Sequence, residues 1–185
     1  MNNEHFNGKY EVELKFRLKS KARFMEYLQR ITYEIMLEEN TESDWYFDTE
    51  NNALSAQNKS LCIRTMEPSG IKLWIVKGPE HDRCEATNIT DAAKAESMLE
   101  TLGYHKVLQV KKIRSIYFID KYHLTVDTLV GIGHFAEFAI MTDDKSKLSL
   151  YRKELEELSA KFGLSTSDVE DCSYKKICER HYING

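Results

Sequence analysis

Residues 10–17, Tyr-Glu-Val-Glu-Leu-Lys-Phe-Arg, alternate strictly between polar and apolar positions. Val12, Leu14, Phe16 and Leu18 share one parity, and Glu11, Glu13, Lys15 and Arg17 share the other. A strand turns successive side chains to opposite faces, so this pattern predicts a strand over about residues 8–18 with one apolar and one charged face. Ser20 is placed to cap a helix reaching Tyr33, with Phe24, Tyr27, Leu28 and Ile31 as its apolar stripe. A second strand is predicted at Tyr33–Leu37, resuming at Asp44–Asp48, and Thr49-Glu50-Asn51-Asn52 reads as a turn. Residues 59–67 and 71–78 read as a hairpin closed by Pro68-Ser69-Gly70, and Arg83–Ile89 as another strand. Thr90 or Asp91 caps a predicted helix running to Leu102 and ended by Gly103. Strands at about 106–119, 122–130 and 134–142 follow, then a helix over Lys145–Phe162 stopped by Gly163 and a helical piece over Ser173–Tyr182.

The connections are mostly short, so the strands pair mainly antiparallel. About eight strands in 185 residues point to an α+β fold, an antiparallel eight-stranded β-barrel, closed or nearly so, with flanking helices. A two-layer α+β sandwich is the alternative. The length suits one domain over residues 1–185, with a barrel core over about 6–164 and a helical tail over about 165–185.

The net charge of −4 argues against a nucleic-acid partner, so any anion site must be a local concentration of cations. No segment approaches the ~20 apolar residues of a membrane span, and the N-terminus lacks the pattern of an export signal. Cytoplasmic location and no membrane partner are therefore expected. Cys62, Cys84, Cys172 and Cys178 show no CxxC spacing and read as reduced thiols, with zinc not expected.

Charge placement changes the picture most. Two carboxylates followed by two cations on one strand face suit a divalent metal beside a phosphate chain, because hard cations take carboxylate oxygens and phosphates take Lys and Arg. The plainer alternative is a half-buried strand with a solvated face. Elsewhere Arg64 follows Leu61-Cys62-Ile63, Lys77 ends the strand Ile71–Lys77, and Lys112 and Arg114 share a face. Asp127 interrupts Leu124–Val130, and Glu137 stands within Phe135–Met141. A carboxylate among apolar neighbours is costly to desolvate unless it meets a cation. Ordinary salt bridges or exposed strand faces account for each residue singly. Together, acids on the first strand and the last two, with cations between, fit one lumen. The six histidines are scattered without ligand spacing; His134 could assist a proton transfer, but a structural role is the default. Gly131-Ile132-Gly133 is a turn, not a phosphate loop, and Asp143-Asp144 sits where a helix begins, so capping is its default role.

Glu11-x-Glu13-x-Lys15, Arg64, Lys77, Arg83-x-Glu85, Lys112-x-Arg114, Asp127 and Glu137, in that order, resemble the CYTH superfamily, the triphosphate tunnel metalloenzymes. Within it, residues 10–17, 68–78, 114–118 and 135–144 are similar to the bacterial class IV adenylyl cyclases. The resemblance covers residues 6–164, with a weaker echo at Ser173-Tyr174. It implies a tunnel-forming barrel, usually a homodimer, that converts ATP to cyclic AMP and pyrophosphate with Mg²⁺ or Mn²⁺. It further implies catalytic places for Glu11, Glu13, Asp127 and Glu137, with Glu11, Glu13 and Glu137 on the metal. Lys15, Arg64, Lys77, Lys112 and Arg114 would bind the triphosphate, and Arg83, Glu85 and Arg17 hold lesser places. Two departures stand out. Glu137-Phe138-Ala139 lacks the second acid that many phosphohydrolase members carry, which favours the cyclase branch. Cys62-Ile63-Arg64 replaces a frequent Arg-x-Arg. A metal-dependent triphosphatase and a non-catalytic nucleotide or polyphosphate binder are the alternatives.

Overall fold

The computed structural model describes residues 4–184. In chain order the elements are β1 (Tyr10–Leu18), α1 (Lys21–Leu28), β2 (Glu34–Asp48), α2 (Ala53–Ala56), β3 (Ser60–Glu67), β4 (Lys72–Lys77) and β5 (Cys84–Asn88). They continue with α3 (Ala92–Thr101), β6 (His105–Ile119), β7 (Tyr122–Leu129), β8 (Gly133–Thr142), α4 (Leu148–Ala160) and α5 (Tyr174–Asn184). The eight strands are hydrogen-bonded in the order β1-β8-β7-β6-β2-β3-β4-β5. Every pairing whose register is described is antiparallel, as the short connections predict. The chain forms two compact units, one of the residues up to Glu39 with Ile113–Ser173, the other of Asn40–Lys112 with the tail from Tyr174.

In the first unit the apolar parity of β1 buries Val12, Phe16 and Leu18 against Leu124 and Val126 of β7 and Ala136, Phe138 and Ile140 of β8. Phe24 and Leu28 of α1, Leu155 and Leu158 of α4, and Phe162 close this face. Ser20 begins α1 as its sequence context predicts, its hydroxyl accepting from the Arg23 N–H at 3.2 Å. Phe138 sits at the centre, fully buried, with the Phe16, Phe24 and Phe162 rings at 5.9, 6.1 and 5.1 Å. Phe138→Ala is expected to cost about 3–5 kcal/mol in urea denaturation, since the surrounding rings cannot collapse into the space. A cost under about 1 kcal/mol would contradict this packing.

In the second unit Phe47, Leu61 and Ile63 pack against Ala92, Ala95 and Leu99, the last three from α3. Asp91 caps α3, accepting from Lys94 N–H at 2.9 Å. The turn after β2 is organised by Asp48, whose carboxylate accepts from Thr49, Leu54 and Ser55 N–H groups and the Ser55 hydroxyl at 2.7–3.0 Å. Burial alone raises its pKa, but these hydrogen bonds win and hold it below the usual value. Gly78 takes φ +87°, and a Cβ there would collide with the Asn58 carbonyl, so the position requires glycine.

Three predicted boundaries shift. Helix α1 stops at Leu28, not Tyr33, because Ile31-Thr32-Tyr33 favour extended backbone and lead into β2. Strand β2 is continuous across the predicted gap; its irregularity is concentrated in Glu39, at φ +50°, whose N–H donates to the Ser115 hydroxyl at 3.0 Å. The helix expected over Lys145–Phe162 begins as a 3-10 turn at Lys145–Lys147, capped by Asp144, before α4. No helix among the described residues is long and apolar enough to cross a membrane.

Candidate active site

The antiparallel register of the first unit sets its charged face. Lys15 stands opposite Glu137, Glu137 opposite Thr125, and Asp127 opposite Arg114. These side chains form one connected chain of charge. Lys15 Nζ lies 3.6 Å from Glu13 Oε1 and 3.3 Å from Glu137 Oε1. Arg114 Nη2 reaches Glu137 Oε2 at 2.8 Å, and its Nε and Nη2 grip both Asp127 oxygens at 2.7 and 2.6 Å. Thr125 adds a hydroxyl donor to Glu137 at 3.2 Å. Lys15, Arg114, Asp127 and Glu137 are all buried, with Asp127 at 0% exposure. Buried charges persist where they are paired this way, so the cost of the lone acids in β7 and β8 is met by Arg114 and Lys15.

The segment after α4 runs along the outer edge of β1. Val169 bridges Phe16, and the Glu170 N–H donates to the Lys15 carbonyl at 2.8 Å. The Lys15 ammonium also donates to the Cys172 carbonyl at 3.3 Å. Arg17, the fourth charge of the motif, is diverted to this segment: its Nη2 meets Glu170 at 3.3 Å and its side chain is half exposed. Glu11 lies at the other end of β1, its Oε1 3.4 Å from Nε2 of His123. The sequence pattern did not single out His123, which is 3% exposed on the charged face of β7.

The second unit carries a charge cluster of its own. Arg64 in β3 stands opposite Asp44 in β2 and grips its two oxygens at 2.7 and 2.8 Å. Arg64 Nη2 also lies 3.0 Å from Glu42 Oε1. Lys112 pairs with Glu42 and lies 3.4 Å from Asp44 Oδ2, and Tyr174 presents its ring to the Lys112 ammonium at 5.0 Å. Glu42 and Asp44 are fully buried. Neither was among the sequence-derived candidates, although Glu42-x-Asp44 has the same two-residue spacing as Glu11-x-Glu13. Each unit thus holds an arginine forked onto an aspartate and touching a glutamate that also meets a lysine.

Cys62 shares the face of Arg64 and is buried beside Ile75 and Cys84. Burial, reinforced by the Asp44 charge, pushes its thiol pKa up to about 12, so it is a neutral packing group. Burial and Asp44 also push the Tyr46 phenol well above its ordinary value. Lys77 ends β4 on this face and is exposed. Arg83 and Glu85 pair with each other at 2.7 Å. Glu85 stands opposite Val76, so it lies on the face opposite Lys77, and half its side chain is exposed.

The donor set fits a hard divalent ion. Glu11, Glu13 and Glu137 offer carboxylate oxygens, and the last two already flank a single cation, the Lys15 ammonium. The charged face of the first unit has the four carboxylates Glu11, Glu13, Asp127 and Glu137 against the three cations Lys15, Arg17 and Arg114, of which Arg17 also meets Glu170. Among the described residues no three His, Cys, Asp or Glu side chains are already gathered closely enough to hold a metal. Lys15 would therefore have to give way for Glu13 and Glu137 to share one.

The CYTH domain family matches residues 9–174, a span that contains both charge clusters. The chain belongs to the CYTH family. It is 56% identical over 180 residues to adenylate cyclase CyaB of Aeromonas hydrophila, covering 97% of this chain and 94% of that one. A solved Vibrio parahaemolyticus structure matches with a TM-score of 0.91 at 53% identity, covering 94% of this chain and 99% of that chain. The PH1819 protein of Pyrococcus horikoshii matches with a TM-score of 0.80 at 26% identity, covering 93% of this chain and 99% of that chain. The antiparallel α+β architecture expected of a CYTH protein is the one found.

Proposed function

We propose that this chain is an adenylate cyclase of class IV, a single catalytic domain that closes ATP to 3′,5′-cyclic AMP and releases pyrophosphate. One observation carries the reading: 56% identity to a curated adenylate cyclase along almost the whole chain. The linked carboxylates and cations of β1, β6, β7 and β8 supply the chemistry. Mg²⁺ or Mn²⁺ held by Glu11, Glu13 and Glu137 would lower the pKa of the ribose 3′-hydroxyl and polarise the α-phosphate. In the reaction the 3′-oxygen forms a bond to the α-phosphorus, loses its proton to solvent, and the bond from that phosphorus to the bridging oxygen breaks. Charge then accumulates on the pyrophosphate. Lys15 and Arg114 are assigned to neutralising it. Asp127 keeps Arg114 in place through a two-point grip, as Asp44 does for Arg64. With Glu13 and Glu137 holding the ion, Lys15 would be released from these carboxylates to bind phosphate. The same reading makes the protein a cytoplasmic homodimer.

Incubation with ATP and Mn²⁺, followed by chromatography of all products, tests this. Cyclic AMP and pyrophosphate in equal amounts, both lost on addition of EDTA, are expected. Orthophosphate as the main product would overturn the cyclase reading in favour of a triphosphatase.

A further inference from the structure

His123 is the one buried histidine on the charged face of the first unit, and the proposed chemistry gives it no task. Its setting is specific. In register, β8 places Ala139 between Glu13 on one side and His123 on the other. Ala139 is 1% exposed and carries only a methyl group, so nothing large separates the imidazole from the acids of β1. The ring lies diagonally across that methyl, with Nε2 3.4 Å from Glu11 Oε1. An ionised carboxylate can only accept, so Nε2 carries the proton of this contact. The other nitrogen, Nδ1, is buried and has no hydrogen-bond partner among the described residues. A buried polar atom left unpaired is costly. The contact with Glu11 is therefore the ring's polar anchor among the described residues. From the other side the ring is held by Phe6, centroid to centroid 4.8 Å, while His5 stacks on the neighbouring Phe118 at 4.0 Å and 7°.

We infer that His123 is a positioning residue for Glu11: its Nε2–H fixes the Glu11 carboxylate in the rotamer that receives the divalent ion. The inference rests on the metal assignment under the proposed function. Carboxylates that ligate metals are oriented by hydrogen bonds from a surrounding shell, and loss of such a partner typically weakens metal binding by about 10–100-fold. Glu11 is the second residue of β1, four residues from Lys15, and its side chain is 16% exposed.

The test is Mn²⁺ binding to the full chain without nucleotide, read as free Mn²⁺ by electron paramagnetic resonance. H123F keeps the ring beside Phe6 and removes the donor; its Mn²⁺ affinity is expected to fall about tenfold. H123Q restores an N–H at the reach of Nε2 and is expected to stay within about threefold of the parent. E11Q serves as the reference and should weaken binding at least as much as H123F. Unchanged affinity in H123F, with E11Q impaired, overturns the role of His123 alone. Unchanged affinity in E11Q overturns the metal assignment and this inference with it. H123Q as weak as H123F also overturns it, because the donor is then not what the ring supplies. Should H123F fail to fold, H123L against H123Q makes the same comparison.

Discussion

Glu13→Gln is expected to lower cyclic AMP formation about a thousand-fold while the chain stays folded. The side chain of Glu13 is a quarter exposed and its ion pair with Lys15 is a loose one, at 3.6 Å. Little packing depends on it. Its charge, however, is one of two that flank the Lys15 ammonium, and a neutral amide cannot attract a divalent ion in its place. Glu137→Gln should be equally inactive but less stable, because Glu137 is buried and joins Lys15, Arg114 and Thr125. Initial rates at saturating Mn²⁺, with urea denaturation of the same samples, separate the two effects. More than a tenth of the parental rate in Glu13→Gln would remove Glu13 from the metal site.

Arg114→Ala should have the largest effect on stability among the charged substitutions, about 3–5 kcal/mol. The guanidinium neutralises Asp127, at 0% exposure, and part of Glu137, at 6%. Without it two buried carboxylates stand diagonally to each other on the neighbouring strands β7 and β8. Activity should be lost as well, through ATP binding. The double variant R114M/D127L distinguishes these consequences. Replacing a buried pair by apolar groups of similar volume is often neutral, so the double variant should recover most of the stability and none of the turnover. If the single variant loses less than about 1 kcal/mol, the Arg114–Asp127 fork is not the support described here. If it retains parental kcat and KM, Arg114 does not touch the triphosphate.

The fold was legible because its strands declare themselves by alternation. Residues 10–18 show a two-residue period, Phe135–Met141 form an apolar run broken only by Glu137, and Gly103 and Gly163 mark the ends of helical stretches. The middle of β2 was not legible. Glu38-Glu39-Asn40-Thr41-Glu42 has no apolar member, so it reads as loop although hydrogen bonding carries the strand through. That misreading concealed Glu42, and Asp44, although it opens the predicted second stretch, becomes recognisable only when the register sets it against Arg64 and Lys112 meets both acids. The placing of Arg83 and Glu85 was illegible for a related reason. Their order along the chain matched a motif, but only pairing with β4 shows which side of β5 each residue of the motif faces. His123 carried no local signal at all, since its partner lies 112 positions away.

The passage of residues 168–172 beside β1 has an outcome for handling the protein. A border strand offers unpaired amides and carbonyls to any other molecule that brings a matching row, and natural proteins usually screen such borders. Here the screen is supplied in part by the Val169 bridge and the Glu170 amide, flanked by Lys19–Asp168 and Arg17–Glu170 ion pairs. Shortening the polypeptide after Leu164 would strip that screen, leaving an adhesive ribbon that carries the catalytic acids and invites self-association.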